Sequence, residues 1–170
     1  MHIGKIMILT SGLAASAMAG PTLACHEWVS TPGSVFESLD PLRLAAEAEY
    51  SPGNHEAARA KLVQLRAGIK PGDPVSLLKA GYWAEVMHVV GVSPDTDGPE
   101  LILRALALRP NDAEYEFMAA LAYVDRDKAT YRQHWDRAEQ MAKPGSAVAK
   151  NLELFGKILA ERQSKVERKH

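Results

Sequence analysis

The chain has 170 residues, of which 46% are hydrophobic and 24% are charged, and its formal net charge is −1. This composition is typical of one globular domain with a sizeable core, and it excludes an intrinsically disordered chain. Lysine and arginine are scattered along the sequence, so it has no basic patch of the kind that nucleic acid requires. We therefore expect no nucleic-acid partner.

Residues 1–24 differ in character from the rest of the chain. Lys5 precedes a short apolar stretch over residues 6–19, and Ala17-Met18-Ala19 supplies the small residues that signal peptidase accepts. The stretch is shorter than the roughly 20 apolar residues that span a bilayer, and no later segment is apolar enough to do so. The sequence therefore predicts a signal peptide over residues 1–24 and a periplasmic or secreted protein with no transmembrane segment in its mature chain.

Cys25 is the only cysteine, so the folded body must form without an internal disulfide. Leu23-Ala24-Cys25 resembles part of a bacterial lipobox, whose cysteine is lipidated, although Thr22 stands where that motif has a large aliphatic residue. Cys25 is thus a possible lipidation site that would make the protein a membrane-anchored lipoprotein, and the alternative is an ordinary exposed residue. A further alternative is a small-ligand or metal carrier, in which Cys25 and His26 at a processed N-terminus supply the ligands.

Residues 25–38 show no clear period, and we predict a linker there, with Trp28 or Phe36 packed against the first helix. Proline cannot continue the helix that precedes it, and Asp or Ser two residues later can cap the next helix. Beyond the linker the chain carries three such helix-ending prolines at intervals of 39 and 34 residues, Pro71, Pro110 and Pro144. A period in this range is typical of an array of helical hairpins.

The first hairpin gives the clearest family pattern. Ala45 and Ala46 lie on its first helix, Gly53 lies in the turn, and Ala58 and Leu62 lie on its second helix. Small residues let two antiparallel helices approach closely, and large ones fill the core between them. In these residues the hairpin resembles a tetratricopeptide repeat (TPR).

Two further units and a final helix continue the pattern. The second unit begins at Pro74 and has an expanded loop over residues 91–99, the third spans residues 113–146, and residues 147–162 resemble the helix that caps such arrays. The resemblance implies an all-α fold over residues 39–162, a right-handed α-solenoid of about three TPR-like helical hairpins plus a C-terminal capping helix. Residues 163–170 are predicted to be a flexible polar tail. The alternative is a generic helical bundle with the same apolar stripes.

In that family a concave groove, lined by the first helix of each hairpin, holds an extended peptide or a partner helix. The resemblance therefore implies a scaffold that binds another protein or peptide, such as another envelope protein. Carrying the groove across by register selects Arg43, Glu47, Tyr50, Leu78, Tyr82, Glu85, Phe117, Leu121 and Val124. The alternative for Leu78, Tyr82, Phe117 and Leu121 is packing against neighbouring helices.

Patterns that would indicate an enzyme are incomplete. Glu85 and His88 share a helical face, as in di-iron bundles, but the second Glu-x-x-His motif of such a site is missing. His55-Glu56 lacks the second histidine of a zinc protease helix, and the sequence has neither a Gly-x-Ser-x-Gly elbow nor a phosphate-binding loop. We therefore expect no enzyme activity, no catalytic residues, no metal and no cofactor.

Overall fold

A computed structural model describes residues 28–49, 55–89 and 97–167. Within these ranges the chain forms seven α-helices and no β-strand, so the predicted all-α class is confirmed. The helices are α1 (Val35–Glu49), α2 (His55–Ala67), α3 (Pro74–Val89), α4 (Gly98–Ala107), α5 (Ala113–Tyr123), α6 (Lys128–Met141) and α7 (Ala147–Glu167). The predicted signal peptide, Cys25, His26 and Tyr50 lie outside the described residues.

Turns at Pro71, Pro110 and Pro144 separate α2 from α3, α4 from α5 and α6 from α7. Gly72 and Gly145, each directly after a proline, have φ angles of 75° and 77°, which glycine adopts without the steric cost of a side chain. The side chain of Asp112 accepts a hydrogen bond from the backbone N–H of Glu114 at 3.0 Å, and Ser146 begins α7 in a similar way. Local residues therefore fix where these helices begin and end.

Small residues allow the helices to pack closely. A side chain at Gly81 on α3 would place its Cβ 2.8 Å from Cγ1 of Ile102 and 2.9 Å from the carbonyl oxygen of Gly98, so only glycine permits this approach of α4. Ala120 on α5 and Ala138 on α6 are completely buried. The second helix of each hairpin also contacts the first helix of the next, α2 with α3, α4 with α5 and α6 with α7.

The beginning of α1 differs from the prediction. The helix starts at Val35, inside the linker predicted over residues 25–38, because the Ser34 hydroxyl caps it by accepting a hydrogen bond from the N–H of Glu37 at 3.2 Å. Phe36 is buried within this helix, and Trp28 packs against it, as predicted. The predicted linker is therefore partly helical and contributes two aromatic side chains to the core.

The last helix is longer than expected. α7 continues to Glu167, past the predicted boundary at residue 162 and into the predicted tail. Its apolar stripe of Val148, Leu152 and Phe155 is buried. Of the helices in the described ranges, none is both long enough and apolar enough to cross a bilayer.

Candidate functional site

A cavity of about 310 Å³ opens between α3, α4, α5 and the turn that follows α5. Four residues of the groove that was predicted from the register of the first helices line it, two from α3 and two from the end of α5: Tyr82, Glu85, Leu121 and Val124. The other lining residues are His88, Ile102, Met118, Ala122, Asp125 and Arg126. The cavity thus joins two consecutive hairpins.

One wall of the cavity is apolar. Ile102 and Met118 are buried, and Leu121 and Val124 are half-buried at its edge. Methionine is unbranched and polarizable, so Met118 can adapt its shape to an apolar group placed against it. This wall suits a hydrophobic side chain without demanding one exact shape.

The cavity lining also includes charged residues. Arg126 donates from one guanidinium nitrogen to both carboxylate oxygens of Glu85, each at 3.0 Å, and Glu85 is only 7% exposed. Burial raises the pKa of Glu85, while the hydrogen bond and charge of Arg126 act in the opposite direction. Any side chain at Gly98 would collide with Glu85, so this glycine makes room for the ion pair.

His88 adds a polar group to the cavity lining. Its Nδ1 atom is buried and makes no hydrogen bond to any of the residues that the structure describes. An unsatisfied buried polar atom is costly, so a bound group that pairs with Nδ1 would gain by doing so. Within the described parts of the chain, no three His, Cys, Asp or Glu side chains are grouped as metal ligands would be.

Two predicted groove residues belong to the core instead. Leu78 and Phe117 are completely buried and present no surface to a ligand, which supports the packing alternative for both. The Phe117 ring is enclosed by aromatic neighbours, with centroids 5.7 Å from Phe36, 5.4 Å from Phe155 and 5.9 Å from Trp135. The register placed these residues on the correct helices but could not show what covers them.

The first hairpin adds little to the described part of the site. Arg43 lies on α1, outside the cavity lining, with its Nε atom 3.6 Å from a carboxylate oxygen of Asp40. The side chain of Glu47, like Tyr50, lies outside the described residues. The structure therefore brings together groove residues of the second and third hairpins only.

The sequence interpretation placed residues 28–34, which we call the N-terminal strap, in a linker, and it missed their contact with the predicted groove residue Tyr82. Trp28 is 5% exposed, and its ring centroid lies 5.3 Å from that of Tyr82 and 5.8 Å from that of Phe36. Its indole N–H donates to a carboxylate oxygen of Asp40 at 2.7 Å. The available signal was two large aromatic residues within a stretch that shows no helical period.

No protein-family model matches this chain, and no significant match is found among curated proteins or solved structures. The resemblance to tetratricopeptide repeats thus stays a prediction from the residues that carry it.

Proposed function

We propose that this protein is a TPR-like scaffold that binds a protein or peptide partner through the groove along the first helices of its hairpins, without enzyme activity. The observation that carries the proposal is the cavity between α3 and α5, where groove residues of two consecutive hairpins meet. The contacts of α2 with α3, α4 with α5 and α6 with α7 support a stacked arrangement, and we propose the right-handed solenoid as its form.

The chemistry of the cavity supports a peptide ligand. At about 310 Å³ it lies near the lower end of the ~300–1,000 Å³ range of ligand pockets. Such a volume favours one anchoring side chain over a large cofactor. The apolar wall of Met118 and Leu121 would hold a hydrophobic side chain, and the Glu85–Arg126 pair and His88 would face polar groups beside it.

We propose that the protein acts in the periplasm or outside the cell, on another envelope protein. Support comes from residues 1–24, with their apolar stretch and small residues at a cleavage site. Intact-mass measurement of the chain recovered from the envelope fraction should give a species that begins near Gly20 or Cys25. Added acyl mass on Cys25 would identify a lipoprotein, and recovery of mainly uncleaved chain from the cytosol would overturn the proposed location.

The binding proposal is tested by selecting peptides from a displayed random library on the wild-type protein. Selected peptides should carry a hydrophobic anchor beside polar residues. Leu121→Ala shortens the apolar wall and should weaken their binding by ~1–2 kcal/mol, roughly ten-fold, as measured by fluorescence anisotropy.

Leu44→Ala is the matched control, because Leu44 is 55% exposed on α1 and the chemical change is the same. It should leave peptide affinity unchanged. Equal affinities for wild type, Leu121→Ala and Leu44→Ala would exclude the cavity as the binding site.

A further inference from the structure

The N-terminal strap contacts a residue that also lines the cavity. Trp28 of the strap packs on Tyr82 of α3, and Tyr82 is part of the cavity lining. The predicted groove is therefore divided into two parts at Tyr82. One part is open, and the other is filled by a segment of the chain itself.

The side chain of Asn151 on α7 binds the main chain of the strap. Its Oδ1 accepts a hydrogen bond from the N–H of Val29 at 2.6 Å, and its Nδ2 donates to the carbonyl oxygen of Val29 at 2.9 Å. Asn151 is completely buried, where an amide is tolerated only if its hydrogen bonds are satisfied. Because both bonds reach backbone atoms of Val29, this contact recognises the main chain whatever the side chain at that position.

Trp28 is held by its shape and by one hydrogen bond. The ring lies between Phe36 and Tyr82, and the indole N–H donates to Asp40. A tryptophan meets both requirements, and a tyrosine offers a donor on a smaller ring, whereas a phenylalanine would leave the carboxylate of Asp40 without this donor.

The rest of the strap is held by neighbours along the chain, since the N–H of Thr31 donates to the Ser34 hydroxyl at 3.1 Å and the N–H of Gly33 donates to Glu37 at 2.7 Å. Ser30, Pro32 and Gly33 are exposed, and Gly33 has a φ angle of 81°, which marks a turn just before α1. Residues 28–33 of the strap therefore hold one buried side chain and one residue that is bound through both its N–H and its C=O, and an exposed turn joins them to Ser34, which caps α1. Residues 28–32 can leave their site while Ser34 stays in place at the start of α1.

We propose that the strap is a self-ligand of the groove, and that an extended segment of a partner protein replaces it. The partner segment would place a tryptophan against Tyr82, and the N–H and C=O of the residue after that tryptophan against Asn151. This inference rests on the proposed function and names the chemistry of the partner. Release of the strap would extend the open cavity into a longer groove.

The test uses the full chain and a fluorescein-labelled peptide with the sequence of residues 26–35. Wild type should bind this peptide weakly, because its own strap competes for the site. Trp28→Ala in the protein vacates the indole site and should bind the peptide at least ten-fold more tightly. Ser30→Ala, at an exposed strap position, is the matched control and should behave as wild type.

Two altered peptides test the contacts without changing the protein further. A peptide in which the nitrogen of Val29 is methylated cannot donate to Asn151 and should bind the Trp28→Ala protein at least ten-fold more weakly. A peptide with Trp28→Phe keeps an aromatic ring but loses the donor to Asp40, and it should also bind more weakly.

Circular dichroism of Trp28→Ala completes the experiment. Retained helical signal with tighter peptide binding supports the proposal, whereas retained signal without tighter binding overturns it. Loss of the helical signal would also overturn it, because Trp28 would then be an obligatory part of the core. If the wild-type protein forms dimers and the peptide dissociates them, the occupant of the site is the strap of a second copy rather than a partner protein. Leu121→Ala addresses the open cavity, so the proposed function and this inference can fail separately.

Discussion

The first and third hairpins are held together differently. In the third, Phe117, Ala120 and Ala138 are completely buried, and α5 packs against α6 more extensively than any other pair of described helices. In the first, α2 buries only Ala58 and Leu62. Yet the first hairpin carries the clearest repeat pattern in the sequence, including the turn glycine that the third one lacks.

Polar contacts also distinguish the third hairpin from the first. A buried carboxylate oxygen of Glu116 lies 2.5 Å from Nδ1 of His134, and Arg137 approaches the other oxygen at 3.5 Å, which joins α5 to α6. The first hairpin instead leaves Leu44 and Val63 exposed, by 55% and 66%. Agreement with a repeat pattern therefore indicates where the helices and turns lie along the chain. How tightly each hairpin is packed depends instead on its helix caps, its helix crossings and its buried polar pairs.

Phe117→Ala should have the largest effect on this difference. It removes the ring at the centre of the aromatic contacts between α1, α5, α6 and α7, and large-to-small changes of this kind cost ~3–5 kcal/mol. The free energy of unfolding from urea denaturation measures the loss. Val63→Ala, at an exposed position of the first hairpin, should change it by no more than ~0.5 kcal/mol. Similar losses for the two variants would contradict the tighter packing of the third hairpin.

Ala120→Leu tests the helix crossing of the third hairpin. The completely buried position has no room for three more carbon atoms, and we expect a loss of ~1–3 kcal/mol in the same denaturation measurement. Ala57→Leu makes the same change at an exposed position of α2 and should leave the midpoint nearly unchanged. A tolerated leucine at Ala120 would show that α5 and α6 pack less closely than described.

Asp112→Ala addresses the capping that defines the third hairpin. The side chain accepts the N–H of Glu114 at the start of α5, and loss of such a cap costs ~1 kcal/mol. Thermal unfolding followed by circular dichroism measures the change. Asp112→Asn keeps an acceptor oxygen and should recover most of the lost stability, so equal losses for Ala and Asn would argue against a capping role.

The smallest effect concerns Asp127, which caps α6. The hydrogen bond from the backbone N–H of Thr130 lowers the pKa of Asp127 below its ordinary value. A lowered pKa in the folded state means that the stabilisation is present above the unfolded pKa and is lost as the pH falls through the folded pKa. Asp127→Asn should therefore flatten the acid limb of a stability profile below about pH 4, and an unchanged acid limb would contradict this reasoning.

The starts of α3, α5 and α7 were predictable because they are encoded locally. A proline, a glycine with positive φ and a capping Asp or Ser act within a few residues of one another, as at Gly145 and Ser146. The start of α1 was not predictable in this way. The partners of the preceding strap include Asn151, which lies 122 residues away along the chain from Val29.

The same distinction between local signals and distant contacts applies to the candidate site. The register of the first helices placed Tyr82 and Leu121 at the cavity, because helical period alone decides which face a residue occupies. It could not place Ile102 or Arg126, which come from a second helix and a turn. Nor could it show that Phe117 is covered, since that depends on rings that arrive from α1 and α7.

The contact between Val29 and Asn151 also bears on how the chain unfolds. In a linear array each unit touches only its neighbours, so the ends can fray independently of the middle. Here the first described residues rest on α7, so the two ends of the described chain are linked directly. We expect the terminal helices to open together while the strap is seated, and separately once it leaves. A ligand that displaces the strap would thus change the size of the cooperative unit as well as the shape of the groove.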